Sequence, residues 1–287
     1  MPEARIGVIG GTGLYQMDGL NDVEEVYPDT PFGKPSDAIV TGILDGVGVA
    51  FLPRHGKGHR FSPSEIPVRA NIYGLKALGV QRIISVSAVG SLREEIRPLD
   101  MVIPDQIIDR TRGRVSTFFG DGIVAHIGFA EPFCPYMMDA LHRGAEKMGA
   151  KVHLRGTYVA IEGPQFSTKA ESLLYRSWGA AVIGMTALPE AKLAREAEIC
   201  YSILACSTDY DCWHESEVPV TVEMVVANLN KNTALSKAIL DDVIPRLSEE
   251  RSCSCGSALE DTIITARGVI PPEARERLAL LVDKYLG

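Results

Sequence analysis

Amide side chains, tryptophan and positive charge are all scarce in this chain of 287 residues. It has five Asn, four Gln and two Trp, and its 29 Lys and Arg are outnumbered by 37 Asp and Glu, for a net charge of −8. That balance argues against a general binder of nucleic acid or anionic membrane, whose affinity would rest on a basic face. An anionic small molecule stays open, because it needs only a local pocket. The opening "MPEARIGVIGG" has no basic leader before its apolar run, and no long uninterrupted apolar segment follows, so neither a signal peptide nor a membrane span is expected. The expected location is cytoplasmic. Six cysteines then stand out, because cytosolic thiols are normally kept reduced and hyperthermophiles are the recognised exception. The shortage of heat-labile amides points the same way, towards heat adaptation.

What is present is an alternation of apolar runs and amphipathic segments. Runs at 5–11, 38–56, 82–90, 101–109, 157–163, 180–186 and 200–209 read as strands, most of them continuous as strands covered on both faces require. The second turns as a hairpin at Asp45 and Gly46. Between them, Pro67 to Leu78, Pro135 to Met148, Lys169 to Trp178 and Pro189 to Glu198 read as helices, the first three stopped by Gly79, Gly149 and Gly179. Two longer helical segments, Thr221 to Glu249 and Pro271 to Leu286, close the chain. The expectation is an α/β fold, a three-layer αβα sandwich around a mixed central sheet, formed by one domain over 1–287 with a C-terminal helical tail.

In such sheets ligands bind beyond the carboxyl ends of the strands, and several strand ends here carry chemistry. "GGTG" at 10–13 lacks the spacing of a dinucleotide fingerprint, but its turn can aim backbone N–H groups and the Thr12 hydroxyl at an oxyanion. "PRHG" sets Arg54, whose planar fork suits phosphate, beside His55, which can donate another hydrogen bond. For an isolated pair a surface loop is the blander reading. His55 and His59 lack the companions of a zinc motif, and no metal is expected there. "SAVGS" ends a strand with small residues, "IEGPQFS" adds Phe166 and Ser167, and "MTALPE" offers Met185 and Thr186 at a helix start, where N-capping is the alternative. "CSTDYDCWHE" holds Thr208, Asp209 and Asp211. If still extended there, the two aspartates share one side of the chain and can hold a cation, share a proton, or accept from an amino-bearing ring.

Taken in order, GGTG, PRHG, GSLREEIRPLDMVIPDQIIDRT, AEPFCP, IEGPQFSTKAES, WGAAVIGMTALPEAKLAREAEICY and TDYDCW resemble the methylthioadenosine phosphorylases of the purine nucleoside phosphorylase superfamily, from about Ile6 to about Ile244. The resemblance implies that fold and a reaction: 5′-methylthioadenosine plus phosphate gives adenine plus 5-methylthioribose 1-phosphate. It also implies no metal or organic cofactor, and a homo-oligomer built on a trimer, either free or as a dimer of trimers. By the same resemblance, phosphate contacts fall on Thr12, Arg54, His55, Ser87, Ala88 and Thr186, and the ribose contact on Met185. Phe166, Thr208, Asp209 and Asp211 fall around the base. Ser167 and Val222 fall where the family sets the choice of 5′ group. Asp209 is expected to protonate the departing adenine and Asp211 to accept from its 6-amino group, with the two roles open to sharing. Two acids favour a 6-aminopurine; relatives acting on 6-oxopurines carry asparagine at the first position. Adenosine remains a candidate second substrate and a 6-oxopurine enzyme the nearest rival. A hydrolytic nucleosidase and a non-catalytic nucleoside-binding or redox module are the unlike alternatives.

The "CSC" of Cys253 and Cys255 resembles the tails of phosphorylases from hyperthermophilic archaea, which strengthens the expectation of heat adaptation. Cys134, Cys200, Cys206, Cys253 and Cys255 are the disulfide candidates, with their pairing left open. Cys212 and several of the others also suit plain burial.

Overall fold

Every apolar run predicted as a strand contains strand structure, and the fold is built on these segments. The computed structural model describes residues 4–11, 13–14, 17–214, 221–247 and 251–287, without the side chains of residues 224 and 229. In chain order the elements are β1 (Ile6–Gly10), β2 (Leu20–Val26), β3 (Ile39–Leu44), β4 (Val47–Pro53), α1 (Val68–Ala77), β5 (Arg82–Ser91), β6 (Met101–Ile103) and β7 (Gln106–Arg110). Then follow α2 (Pro135–Lys147), β8 (Val152–Leu154), β9 (Thr157–Ile161), α3 (Lys169–Ser177), β10 (Val182–Gly184), α4 (Ala187–Glu196), β11 (Cys200–Asp209), α5 (Val222–Arg246) and α6 (Pro272–Leu286).

The strands form one mixed sheet in the order β2-β3-β4-β1-β5-β10-β9-β7, with β11 added to β5, β6 to β11 and β8 to β6. Helices α1 and α4 pack together, as do α2 and α5, and α2, α4 and α5 all lie against β11. This is the expected sandwich of helices around a mixed sheet. β1, β5 and β11 are almost wholly buried, which is why their sequences are apolar on both faces. The β3–β4 hairpin turns at Asp45 and Gly46, both with positive φ, as the Asp-Gly pair requires. Proline 104 divides the expected 101–109 strand into β6 and β7, which pair with different neighbours.

One junction positions the site. β5 has three partners: β1 runs parallel to it as far as Ser85, β11 runs parallel along nearly its whole length, and β10 joins antiparallel only at Gly90 and Ser91. Between the end of β1 and the start of β10, residues 86–89 have no strand beside them on that edge. A cleft therefore opens where the carboxyl ends of β1, β4, β5 and β11 converge, the position expected for a ligand in a sheet of this kind.

Candidate active site

A cavity of about 420 Å³ fills this cleft, within the usual range for small-ligand sites. Arg54, His55, Ser87, Ala88, Phe166, Ser167, Met185, Thr186, Thr208, Asp209, Asp211 and Val222 all line it. Residues that the sequence scatters over most of the chain thus meet in one place. Thr12 lies outside the described residues; its neighbours Gly11 and Gly13 are in the lining.

Arg54 follows directly on β4 and is only 3% exposed. Its Nε donates to Glu190 Oε1 at 2.5 Å, Nη1 to the Val86 carbonyl at 3.0 Å, and Nη2 to Ser85 Oγ at 2.6 Å and Glu190 Oε2 at 3.2 Å. Burial alone would lower its pKa, but the Glu190 carboxylate reverses that and holds it above the usual value. The picture of a free fork needs revising, because most donors of the guanidinium already have protein acceptors. What Arg54 offers an anion is fixed positive charge and what remains at Nη1.

His55 also differs from expectation. Its Nδ1 lies 2.8 Å from the Phe61 carbonyl, which can only accept, so the neutral ring carries its proton there. Burial, and then the Arg54 charge, push its pKa down to about 4. A neutral His55 therefore presents Nε2 as an acceptor rather than as the further donor read from the sequence. Ser87 Oγ and Ser167 Oγ are buried without a hydrogen-bond partner, and Thr186, the N-cap residue of α4, makes no capping bond with its side chain. These hydroxyls are available to a ligand.

The aspartates come together by another route than strand alternation. β11 ends at Asp209 with a bulge after Ser207, and Asp211 sits in a turn with φ of 50°. The turn is closed by Asp209 itself, whose Oδ1 accepts from the Asp211 amide at 2.8 Å. Its Oδ2 lies 2.7 Å from Thr208 Oγ1, which is also 3.2 Å from the Val89 carbonyl. The single hydroxyl proton can go to only one of them. When Val89 receives it, Thr208 Oγ1 can accept from a protonated Asp209. Burial raises the pKa of Asp209, against the Thr208 and Asp211 hydrogen bonds. Burial likewise raises that of Asp211, with the Asp209 charge adding to it. Gly90 makes the arrangement possible, since a Cβ there would stand 3.0 Å from Asp209 Oδ1 and 3.3 Å from Asp211 Cβ.

Several contributors have no signature in the sequence. Glu190 looks like any helical glutamate, yet it is buried against Arg54, and Tyr201 Oη donates to it at 2.8 Å. Arg114 donates to the carbonyls of Met185 at 2.6 Å and Leu188 at 2.8 Å, which fixes the strand end that carries Met185 and Thr186. From α5, Asn228 donates to the Thr208 carbonyl at 2.7 Å and Asn232 to that of Ser207 at 3.3 Å. Val222, Val225 and Val226 on the same helix line the cavity, at an i, i+3, i+4 spacing that was visible beforehand.

All six cysteines are free. Cys206 is removed as a partner for the others: its Sγ contacts Ser236 Oγ at 3.5 Å inside the core. Cys134, Cys200, Cys253 and Cys255 converge at a place apart from the cavity. Among the described residues no helix is long and apolar enough to cross a membrane.

An anion-compatible pocket joined to a pair of aspartates, Asp209 buried and Asp211 half-buried, at the carboxyl edge of a mixed sheet between helical layers, is the arrangement of a nucleoside phosphorylase. The chain belongs to the phosphorylase superfamily, whose family model matches residues 5–245. It is 58% identical to the S-methyl-5′-thioadenosine phosphorylase of Geobacter sulfurreducens over 99% of this chain and 100% of that one. The crystal structure of a methylthioadenosine phosphorylase from an Antarctic soil metagenomic library superposes with a TM-score of 0.94 at 51% identity, covering 98% of this chain and 100% of that chain. A point mutant of the adenosine/methylthioadenosine phosphorylase of Schistosoma mansoni, solved with adenine, gives 0.86 at 35% identity over 92% and 100%.

Proposed function

We propose that the chain catalyses phosphorolysis of 5′-methylthioadenosine to adenine and 5-methylthioribose 1-phosphate. One observation carries this reading: Arg54, His55, Ser87 and Thr186 share a single cavity with Asp209 and Asp211. The first set suits phosphate and the second a 6-aminopurine, so the anomeric carbon of a nucleoside would lie between them. The near-full-length identity to enzymes of that name supports the substrate.

In this reaction the C1′–N9 bond breaks and a bond from C1′ to a phosphate oxygen forms, through a sugar with oxocarbenium character. Monohydrogen phosphate becomes a phosphate ester, and its proton is balanced by the one gained by adenine. No covalent enzyme nucleophile is needed, and the work of the protein is positioning and charge. Arg54, Ser87, the Ala88 amide, Thr186 and Thr12 hold the anion. Neutral His55 accepts the phosphate hydrogen at Nε2, which turns an unprotonated oxygen towards the sugar. Met185 packs on the ribose and Phe166 beside the base. Protonated Asp209 gives its proton to the purine as negative charge develops there and regains one from solvent after adenine leaves, while the phosphate ester loses its proton to solvent. Asp211 accepts from the 6-amino group. Ser167 and apolar Val222 face the 5′ group, and Val222 suits a methylthio substituent better than a hydroxyl. Adenosine is a slower second substrate, since a site with no partner for a hydroxyl discriminates only modestly against it. The name of the Schistosoma relative accords with that breadth.

The reaction requires no metal or organic cofactor. The enzyme works as one domain in the cytoplasm, as a trimer or a pair of trimers. Leu173, Leu174 and Trp178, exposed on and just after α3, suit a subunit contact. The scarcity of heat-labile amides supports adaptation to heat.

Release of adenine, followed with and without phosphate and with methylthioadenosine, adenosine or inosine, tests the proposal. It requires phosphate-dependent release with methylthioadenosine preferred. Equal release without phosphate would mean a hydrolase, no release a binding module, and preference for inosine a 6-oxopurine enzyme.

A further inference from the structure

We infer that Cys134, Cys200, Cys253 and Cys255 form a structural tetrathiolate site for a zinc ion. Their four Sγ atoms all lie within 4.8 Å of one another, although they come from three separate parts of the chain. Cys134 is the N-cap residue of α2, Cys200 opens β11, and Cys253 and Cys255 flank the start of the short 3-10 turn Ser254–Ser257. A tetrahedral zinc with Zn–S bonds of about 2.3 Å needs sulfurs about 3.8 Å apart. The Cys200–Cys253 separation is 3.3 Å, so shifts of roughly half an ångström accommodate the ion. Two disulfides would instead sort the sulfurs into two couples about 2.05 Å apart, whereas here all four are free and are mutual neighbours within 4.8 Å.

The surroundings suit a structural ion. Three of the four thiols are buried, and the fourth, Cys253, is partly exposed and gives the metal a way in. The backbone that carries them is already fixed: Cys134 N–H donates to the Tyr201 carbonyl at 2.9 Å and Cys200 N–H to that of Gln81 at 3.0 Å. On the tail side, Arg251 donates to the Glu198 carbonyl at 2.8 Å and Lys284 to the Gly256 carbonyl at 2.9 Å. Arg251 also brings positive charge to the segment that would hold a zinc tetrathiolate of net charge −2, while the charge of Lys284 is offset by Glu198 Oε2 at 3.2 Å. No zinc motif is visible in the sequence, because the convergence of Cys134 and Cys200 with Cys253 and Cys255 is a property of the fold alone.

The site stands at the start of β11 and the reactive aspartates at its end, about 30 Å away along the strand. Zinc here clamps the C-terminal segment to α2 and the sheet and takes no part in the reaction. Occupancy can therefore be measured apart from turnover, and the outcome does not depend on the proposed activity.

The full-length protein is expressed with added zinc, purified under reducing conditions and analysed for metal by mass spectrometry and for reactive thiols. The expected result is about one zinc per chain, with the cluster cysteines protected from alkylation until a chelator is added. Cobalt added to the stripped protein should give thiolate-to-metal charge-transfer absorption. Cys253→Ser, at the least buried ligand, should lose that absorption and the bound zinc, while Cys206→Ala should keep both. Chelation of the wild type should lower Tm, with recovery on adding zinc but not magnesium, a readout that holds even if a variant fails to fold. Purified protein without zinc whose cluster thiols all alkylate freely, or peptides cross-linked by disulfides among these four cysteines under the same reducing preparation, would overturn the assignment.

Discussion

The Arg54 guanidinium is buried against the Glu190 carboxylate, with Nε donating to Oε1 at 2.5 Å. Removing the acid leaves a buried cation without its partner, which in other proteins costs about 3–5 kcal/mol. Glu190→Ala should therefore lower Tm markedly. If the cavity delivers phosphate to Arg54, the anion becomes a substitute counter-charge, and saturating phosphate should restore more of the Tm of the variant than it adds to the wild type. Equal phosphate shifts in the two proteins would separate Arg54 from the anion site.

Asp209 carries the proton in the mechanism, and its raised pKa sets the direction of its pH dependence. The protonated form is fully populated below that pKa and is lost as pH rises through it, so the rate should fall on the alkaline side. Asp209→Asn should cut kcat by about 10²- to 10⁴-fold, the usual worth of general acid catalysis, and flatten that limb. Asp211→Asn should keep the pH profile and act mainly on KM for the nucleoside. A variant at 209 with near-normal kcat would refute the assignment.

Gly90 holds both aspartates in place by leaving room for them. A methyl at that position meets Asp209 Oδ1 at 3.0 Å and Ile183 Cγ2 at 3.1 Å. Gly90→Ala should displace the carboxylate, reduce kcat strongly, and cost about 1–3 kcal/mol of stability through overpacking. Activity and melting measured on the same sample would check it. Full activity would mean the pair tolerates movement.

Much of this fold was legible because its signals are local. Gly79, Gly149 and Gly179 stop their helices with positive φ, and the buried strands announce themselves as unbroken apolar runs. β2 gave no such signal, since Leu20–Val26 is an edge strand with exposed acids, and β8 is three residues long. The site was legible residue by residue through the family-like motifs, but its geometry was not. No motif says that Glu190 neutralises Arg54, that the Nδ1–H of His55 donates to the Phe61 carbonyl, or that a bulge and an Asx turn join Asp209 to Asp211. The first depends on segments 136 residues apart meeting in space, as does the gathering of the four cysteines, and the other two are local turns whose form the residue types leave open.

Val222 lies at the start of α5 on the rim of the cavity and is 63% exposed in the single chain. If it faces the 5′ substituent, replacing it by a hydroxyl-bearing residue supplies a hydrogen-bond partner for adenosine and removes apolar contact from the methylthio group. Val222→Ser should reduce the kcat/KM preference for methylthioadenosine over adenosine by roughly 10-fold, within the range for a single small group. An unchanged ratio would move the specificity determinant elsewhere, with Ser167 the next candidate.

Glu196 offers a test of stability that is independent of the reaction. Its carboxyl is buried, and burial raises its pKa to about 7 despite hydrogen bonds from Thr117 Oγ1 and the Phe118 amide, each at 2.7 Å. In the unfolded chain it ionises near 4.5, so between those pH values the folded protein holds a proton that the unfolded chain has released. Stability must then fall as pH rises through this window and level off above it, by up to roughly 3–4 kcal/mol at 1.36 kcal/mol per unit. Glu196→Gln keeps the shape and an acceptor while removing the ionisation. The variant should melt above the wild type at pH 8 and lose that advantage by pH 5. A gap that stays constant across the range would mean that Glu196 does not titrate in this window.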